Sequence, residues 1–329
     1  MQTLYVSQQG CYVSLNQELL VVKQGETVQA EVQLPLLEMV LVFGNSQITT
    51  QAIRACLWRN IPIAYVSRMG FCYGRILPIE RGFRQLARYQ QQLLAVERLQ
   101  VARSIVQAKL RNSRVILQRQ NRRRSSDTLS LAIQSLEYLI DKAGEADNTQ
   151  RLMGFEGAGA AQYFSAFAEC LEGNDFVFAG RSRRPPGNPV NAMLSFGYQI
   201  LWNHLLSLIE LQGLDPYSAC LHEGSERHAA LASDLIEEFR APMIDSLVMY
   251  LVNRKMMDVL NDFEYKNGGC FLNNSGRKKF LKAFLRRMAE EIDTESGKQP
   301  KWDLLNQQVK LFKQFVYEPS RLYKPYLIR

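Results

Sequence analysis

The hydrophobic pattern changes period near residue 80, and that change limits what the chain can become. Before it, apolar residues come in short runs rich in valine, isoleucine and aromatics; after it, they recur every three or four positions over long stretches. LYVSQ and CYVSL read as two strands around Gln9-Gly10, and LLVV, EMVLVF, IPIAYV and FCYGRIL follow as further strands. Among them, ITTQAIRACLWRN has helical spacing, with Ile53, Cys56 and Leu57 on one face and Asn60 and Pro62 closing it. After Pro78, Phe83, Ala87, Leu94, Val101, Ile105 and Ala108 share one helical face, which ends at Arg122, Arg123 and Arg124. Further helices are predicted over 128–141, 158–170, 189–211, 226–261, 276–291 and 302–316. Joints fall at 144–150, GRSRRPPGNP, the Asn267-Gly-Gly turn and 295–300. The expected class is therefore α+β: a small strand-rich domain over 1–80, then a larger all-helical domain over 81–329. Short strands with open edges favour pairing, so a homodimer through the first domain is expected.

The 329 residues contain no run of eighteen apolar residues, so no membrane span is expected, and Met1 leads into a strand pattern without a secretion signal. Six cysteines stand singly with no C-x-x-C pair. That spacing argues against a zinc ribbon or a disulfide framework and for reduced, buried thiols in a cytoplasmic protein.

Net charge is +8, but it is unevenly placed. Residues 81–124 hold twelve Lys or Arg against one acid, Glu97, whereas residues 1–80 balance five of each sign. A local excess of that size points to a polyanion, although a solvated helix face accounts for some of it. A second basic group is Arg277, Lys278, Lys279, Lys282, Arg286 and Arg287. Candidate phosphate contacts are Arg84, Arg88, Arg122, Arg123, Arg124, Arg181, Arg183, Arg184, Lys278 and Lys279.

Three segments carry chemistry. LDPYSACLHEGSERHAALASDLIEEFRAPMID brings His222 to the start of a helical pattern bearing Asp234, Glu237 and Glu238. At about 3.6 residues per turn these carboxylates lie near one face. They repel one another unless a cation holds them, which suggests a divalent-metal site; a solvated acidic face is the alternative. The zincin motif H-E-x-x-H is absent, because Glu226 stands four residues after His222 and His228 two further on. One histidine with carboxylates suits an oxygen-preferring Mg²⁺ or Mn²⁺, ions that usually act on phosphates. In GFEGAGAAQYF, Glu156 sits among small residues at an expected helix start, where it serves either a ligand or the helix dipole. GRSRRPPGNPVNAMLSFGYQIL places Arg181, Arg183 and Arg184 before a helix opened by Pro189, with Asn191 able to hydrogen-bond toward a site; a basic surface loop is the alternative.

Together, EGAGAAQY, RSRRPPGNPVNAMLSFGY, LDPYSACLH and DLIEEFRAPMID resemble, in order, the motifs of the CRISPR-associated protein one family. The segments from LPLLEMVLVF to GFCYGRI and LNNSGRKKFLKAFLRRM extend the resemblance nearly end to end. It implies a metal-dependent DNA integrase and endonuclease, in which a DNA 3′-hydroxyl attacks a repeat phosphodiester. It also implies metal ligands at Glu156, His222 and Glu237, with Asp234 supporting them. Implied partners are double-stranded DNA, a second copy of the chain, and a dimer of CRISPR-associated protein two. One departure is Asn188, where the family usually has Asp. Tyr163 either lines a DNA path or is a core aromatic. His204 is expected to be a hydrogen-bonded core residue and His228 a surface one. The tail FVYEPSRLYKPYLIR either docks a partner or folds back. A DNA-binding subunit without catalysis and an RNase or general phosphoesterase remain as competing readings.

Overall fold

The computed structural model describes residues 2–67, 71–79, 83–172, 175–225, 228–294 and 297–328. The expected strands form, as β1 (Gln2–Val6), β2 (Cys11–Asn16), β3 (Leu19–Gln24), β5 (Leu37–Phe43), β7 (Ile63–Val66) and β8 (Cys72–Ile76). Two more appear that the pattern had not indicated, β4 (Thr27–Gln33) and the short β6 (Gln47–Ile48). The strands make two four-stranded sheets, ordered β1-β5-β7-β8 and β4-β3-β2-β6. β1 and β2, neighbours in sequence, thus belong to different sheets. Between β6 and β7 lies α1 (Thr50–Trp58), which begins where the Thr49 hydroxyl accepts the Ala52 N–H at 3.2 Å.

β5 pairs in parallel with both β1 and β7 and is buried on both faces, which explains its unbroken apolar run. Val40 and Val42 turn toward the second sheet, together with Ile63 of β7. Met39, Leu41 and Phe43, with Ala64 and Val66, join the core of the helical region.

That region comprises α2 (Phe83–Gln92), α3 (Ala95–Asn121), α4 (Asp127–Glu145), α5 (Thr149–Glu169), α6 (Pro189–Leu211), α7 (Ala230–Ile236), α8 (Ser246–Asn253), α9 (Asn274–Ala289) and α10 (Lys301–Tyr317). The single face expected from Phe83 to Ala108 is broken at Leu93 and Leu94. Glu97 accepts the Leu94 N–H at 2.7 Å to start α3, and Arg98 donates to the Gln90 carbonyl at 2.7 Å to close α2. The helix expected over 226–261 is also interrupted; its first two positions lie outside the described residues, α7 starts at Ala230, and α8 ends at Asn253. Pro242 carries no N–H, and the chain passes from α7 through a wide turn at Arg240–Asp245 before α8 resumes.

The helical region is helical in bulk but not throughout. Phe263–Lys266 and Gly269–Leu272 form the hairpin β9–β10 around Asn267 (φ 51°) and Gly268 (φ 73°), so the expected joint is a two-residue turn that needs positive φ. Glu291–Thr294 and Gly297–Pro300 form a second hairpin, β11–β12. All six cysteines are free and all but Cys72 are buried. Among the described residues, no helix is long and apolar enough to cross a membrane.

Candidate active site

α3, α5 and the end of α7 meet at one buried point. Lys109, on α3, sends its ammonium between Glu156 of α5 and Glu237 just past α7; it pairs with Glu156 Oε1 and lies 2.5 Å from Glu237 Oε2. Arg240 Nη2 reaches Glu237 Oε1 at 3.0 Å. Burial alone would raise the Glu237 pKa, but the Arg240 and Lys109 cations outweigh it and hold the carboxyl ionised well below its usual range. Glu237 Oε2 is enclosed by protein, and the Lys109 ammonium is the partner left to it. An oxygen left with a cation as its only partner belongs to an anionic pair arranged around positive charge.

Glu156 reaches this point from inside α5, which starts at Thr149 because the Asn148 side chain caps it through the Arg151 N–H at 2.8 Å. The helix start expected beside Glu156 therefore lies earlier, and the dipole alternative for this carboxylate falls away.

His222 stands next to the pair rather than in it. Its ring Nδ1 lies 2.8 Å from Asp234 Oδ1, and because a carboxylate accepts, Nδ1 carries the proton and Nε2 is left for other contacts. Asp234, fully buried on α7, also accepts the backbone N–H groups of Cys220, Leu221 and His222 at 2.7, 2.9 and 2.9 Å. It fixes both the loop and the ring. Burial pulls the His222 pKa down, but the Asp234 hydrogen bond and the nearby carboxylate charges reverse this and leave it raised. Among the described residues, no three His, Cys, Asp or Glu side chains stand close enough to share one metal ion. Glu156 and Glu237 fit a hard cation as a pair, with His222 adjacent on the open side.

The three acids expected on one helix face diverge because the backbone turns after α7. Asp234 faces the His222 loop and Glu237 the cation. Glu238 points away, accepting the Tyr323 hydroxyl and, at 2.6 Å, the Tyr326 N–H. Burial pushes the Glu238 carboxyl up to about 8.

His222 opens on a cleft of about 410 Å³ bordered by Arg181, Arg183, Arg184, Trp202 and Arg240. Asn191, wholly buried, accepts from Arg181 Nη1 (2.8 Å) and the Ser182 N–H (3.0 Å) and donates to the Gly180 carbonyl (2.8 Å). It clasps the loop that carries the arginines and does not reach the carboxylates. Asn188 caps α6 by accepting the Asn191 N–H at 2.9 Å, so the expected Asp is replaced without loss of the cap. Tyr163 is buried in the core beside Asp245.

The remaining candidates are spread. Arg88, Arg122, Arg123 and Arg124 are exposed, as are Arg183, Arg184 and Lys278. Lys279 is tied to Asp262 at 2.7 Å. The Arg84 side chain lies outside the described residues. Several cations of the 81–124 stretch have structural partners: Arg98 donates to the Ala219 carbonyl, Arg103 to that of Ala146, and Arg114 pairs with Glu137. His228 is exposed and stacks on Trp202. His204 departs from expectation: it is buried against Trp302 at 4.3 Å and Phe43 at 5.3 Å, yet neither ring nitrogen has a hydrogen-bond partner. Sequence reasoning passed over Lys109 and Arg240. For Lys109 a signal existed, since it continues the apolar row Val101–Ile105 on a helix face otherwise turned to the core.

The sequence model of the family described as CRISPR associated protein Cas1 matches residues 4–286. A CRISPR-associated endonuclease Cas1 of Methanospirillum hungatei is 35% identical over 262 residues, covering 79% of this chain and 78% of the relative. One from Thermus thermophilus is 31% identical over 295 residues, covering 90% and 89%. A Cas4/Cas1 fusion from Geobacter sulfurreducens is 34% identical, and there the chain spans 53% of the relative's length. Among solved structures, the fold is shared with a chain of a partial Cas6-RT-Cas1–Cas2 complex (TM-score 0.85, 24% identity, 99% of this chain and 98% of that one). It is shared also with a casposase bound to integration product (TM-score 0.74, 22% identity, full coverage of both). With the family model running across most of its length and the motif carboxylates meeting at one buried point, this chain belongs to the CRISPR-associated Cas1 family.

Proposed function

We propose that Glu156 and Glu237 take a divalent cation, Mg²⁺ or Mn²⁺, in place of the Lys109 ammonium, that His222 joins them as a ligand by closing on the bound ion, and that the three carry out phosphodiester transfer on DNA. The chain is a CRISPR-associated endonuclease and integrase. Within that activity, a DNA 3′-hydroxyl attacks a phosphodiester of the repeat; it loses its proton as the new P–O bond forms, and the displaced 3′-oxygen takes one up. With water as nucleophile the product is a nick. When bound, such a cation neutralises charge on the phosphoryl oxygens and favours the ionised nucleophile.

The chain's own residues do the rest. Glu156 and Glu237 offer anionic oxygens from two elements locked together in the core. Asp234 keeps His222 in the Nδ1–H form, with Nε2 free to act. Arg181, held by Asn191, and Arg183 and Arg184 meet the phosphate backbone along the cleft. The exposed Arg88, Arg122, Arg123, Arg124 and Lys278 extend contact with double-stranded DNA, from which counterion release gives a salt-sensitive affinity. Residues 1–80 serve as a dimerisation domain and 81–329 as the catalytic one. Two such dimers assemble with a dimer of CRISPR-associated protein two in the cytoplasm.

The observation that carries this reading is the convergence of Glu156 and Glu237 on one buried cation position. Integration of a labelled short duplex into a supercoiled repeat-bearing plasmid, with partner protein and Mn²⁺ or Mg²⁺, tests it. Glu237→Gln should lose joined product while still binding duplex; joining at the wild-type rate would overturn the assignment.

A further inference from the structure

We infer that the segment after α10, residues 318–328, is a strap that positions the carboxylate pair, an inference that rests on the metal-centre reading above. Two routes lead from the strap to the Lys109–Glu237 contact. On the first, Tyr323 and Tyr326 hold both oxygens of Glu238, the residue next to Glu237, and the Tyr326 ring stacks on Phe239 at 5.2 Å. On the second, Asn112 lies three positions beyond Lys109 on α3, on the same side of the helix. It accepts the Ile328 N–H at 3.0 Å and donates to the Tyr326 carbonyl at 2.9 Å and the Glu238 carbonyl at 2.8 Å.

That last bond completes a gap in the backbone. A helix would satisfy the Glu238 carbonyl from the N–H four residues on, but that residue is Pro242. Asn112 supplies the missing donor, and the strap supplies the reason Asn112 points there. Gln308 of α10 anchors the strap from behind, donating to the Tyr323 hydroxyl at 2.9 Å and the Lys324 carbonyl at 3.1 Å.

The strap thus grips the neighbours of both members of the ion pair, and so sets the spacing of α3 and the end of α7 across which Lys109 meets Glu237. Asn112, Glu238 and Tyr323 are all buried, so none of these bonds can be exchanged for water without opening the structure. The segment lies beyond residue 286, where the family match ends. Tyr323, Tyr326 and Asn112 are positioning residues, acting on the pair through Glu238 and α3.

The test compares the full chain, a chain ending at Pro325, Asn112→Ala, Tyr326→Phe and Glu237→Gln. Mn²⁺ affinity is read by calorimetry, and backbone hydrogen exchange over residues 236–241 by mass spectrometry. The shortened chain and Asn112→Ala should each bind Mn²⁺ at least tenfold more weakly and exchange faster over 236–241. Tyr326→Phe, which keeps backbone and ring, should match the full chain. Folded variants with full-chain affinity and exchange would overturn the proposal. If the first two do not fold, Tyr323→Phe, lacking one hydroxyl, takes their place. If the full chain and Glu237→Gln bind Mn²⁺ alike, the metal-centre reading is what fails. The strap is then decided by exchange alone: faster exchange in the variants sustains it, and unchanged exchange overturns it.

Discussion

Glu237 and Glu238 are adjacent in sequence and both buried, yet they face opposite partners: Glu237 meets Lys109 and Arg240, while Glu238 meets Tyr323 and Tyr326. One carboxylate is neutralised by cations and the other is satisfied by hydrogen-bond donors. Truncating Glu238 leaves those donors buried and unpaired. Glu238→Ala should cost about 2–4 kcal/mol, read from the denaturant midpoint, and Glu238→Gln clearly less because its amide oxygen still accepts.

Removing the shared cation should do more harm than removing either anion. Lys109→Met leaves two carboxylates facing each other in the core, which should cost about 3–5 kcal/mol. The same variant should gain thermal stability from added Mn²⁺. The wild type, neutralised by its own lysine, should keep its Tm in chelator.

His204 makes stability depend on acid. Its pKa is about 3 in the fold, because burial disfavours the charged ring, against about 6.5 in an unfolded chain. The unfolded state therefore binds the proton first. Stability is fully present above pH 6.5 and falls as pH drops from there toward 3. His204→Phe keeps the stack on Trp302 and should flatten part of the loss between pH 6.5 and 4, measured by unfolding at fixed temperature.

The cap at Asn188 isolates one local term. Asn188→Ala should cost about 1 kcal/mol, whereas Asn188→Asp keeps the acceptor and adds charge at a helix N-terminus. The Asp variant should equal or slightly exceed the wild type in thermal unfolding.

Charge reversal of Arg122, Arg123 and Arg124 tests the basic surface. These side chains are exposed, so the fold should persist. The slope of log affinity for duplex against log salt should become shallower by about 0.9 for each phosphate the variant no longer neutralises. An unchanged slope would remove these arginines from the DNA interface.

Much of this molecule was legible because its signals are local. EMVLVF reads as a strand, and Thr49 and Pro189 begin helices, since side chains there act on backbone a few residues away. The motif resemblance located Glu156, His222 and Glu237 in the sequence. What was not legible depends on non-local pairing. Nothing in LYVSQQGCYVSL says that its two strands join different sheets. DLIEEF does not reveal that Pro242 turns the backbone and sends its acids apart. The lysine at 109 stands out by its place on the core-facing row of α3, but its partners stay hidden until α5 and α7 bring carboxylates to it. The fate of the tail was open for the same reason: its aromatics could cover any surface, and the acceptor that holds them lies more than eighty residues upstream.

β5 acts as a party wall. Because Met39, Leu41 and Phe43 belong to one core and Val40 and Val42 to the other, severing the chain near residue 80 would leave neither piece with a finished interior. Each fragment would present a fresh greasy face and precipitate or seek the other. Dissection of this protein is therefore better done by point substitution than by scissors.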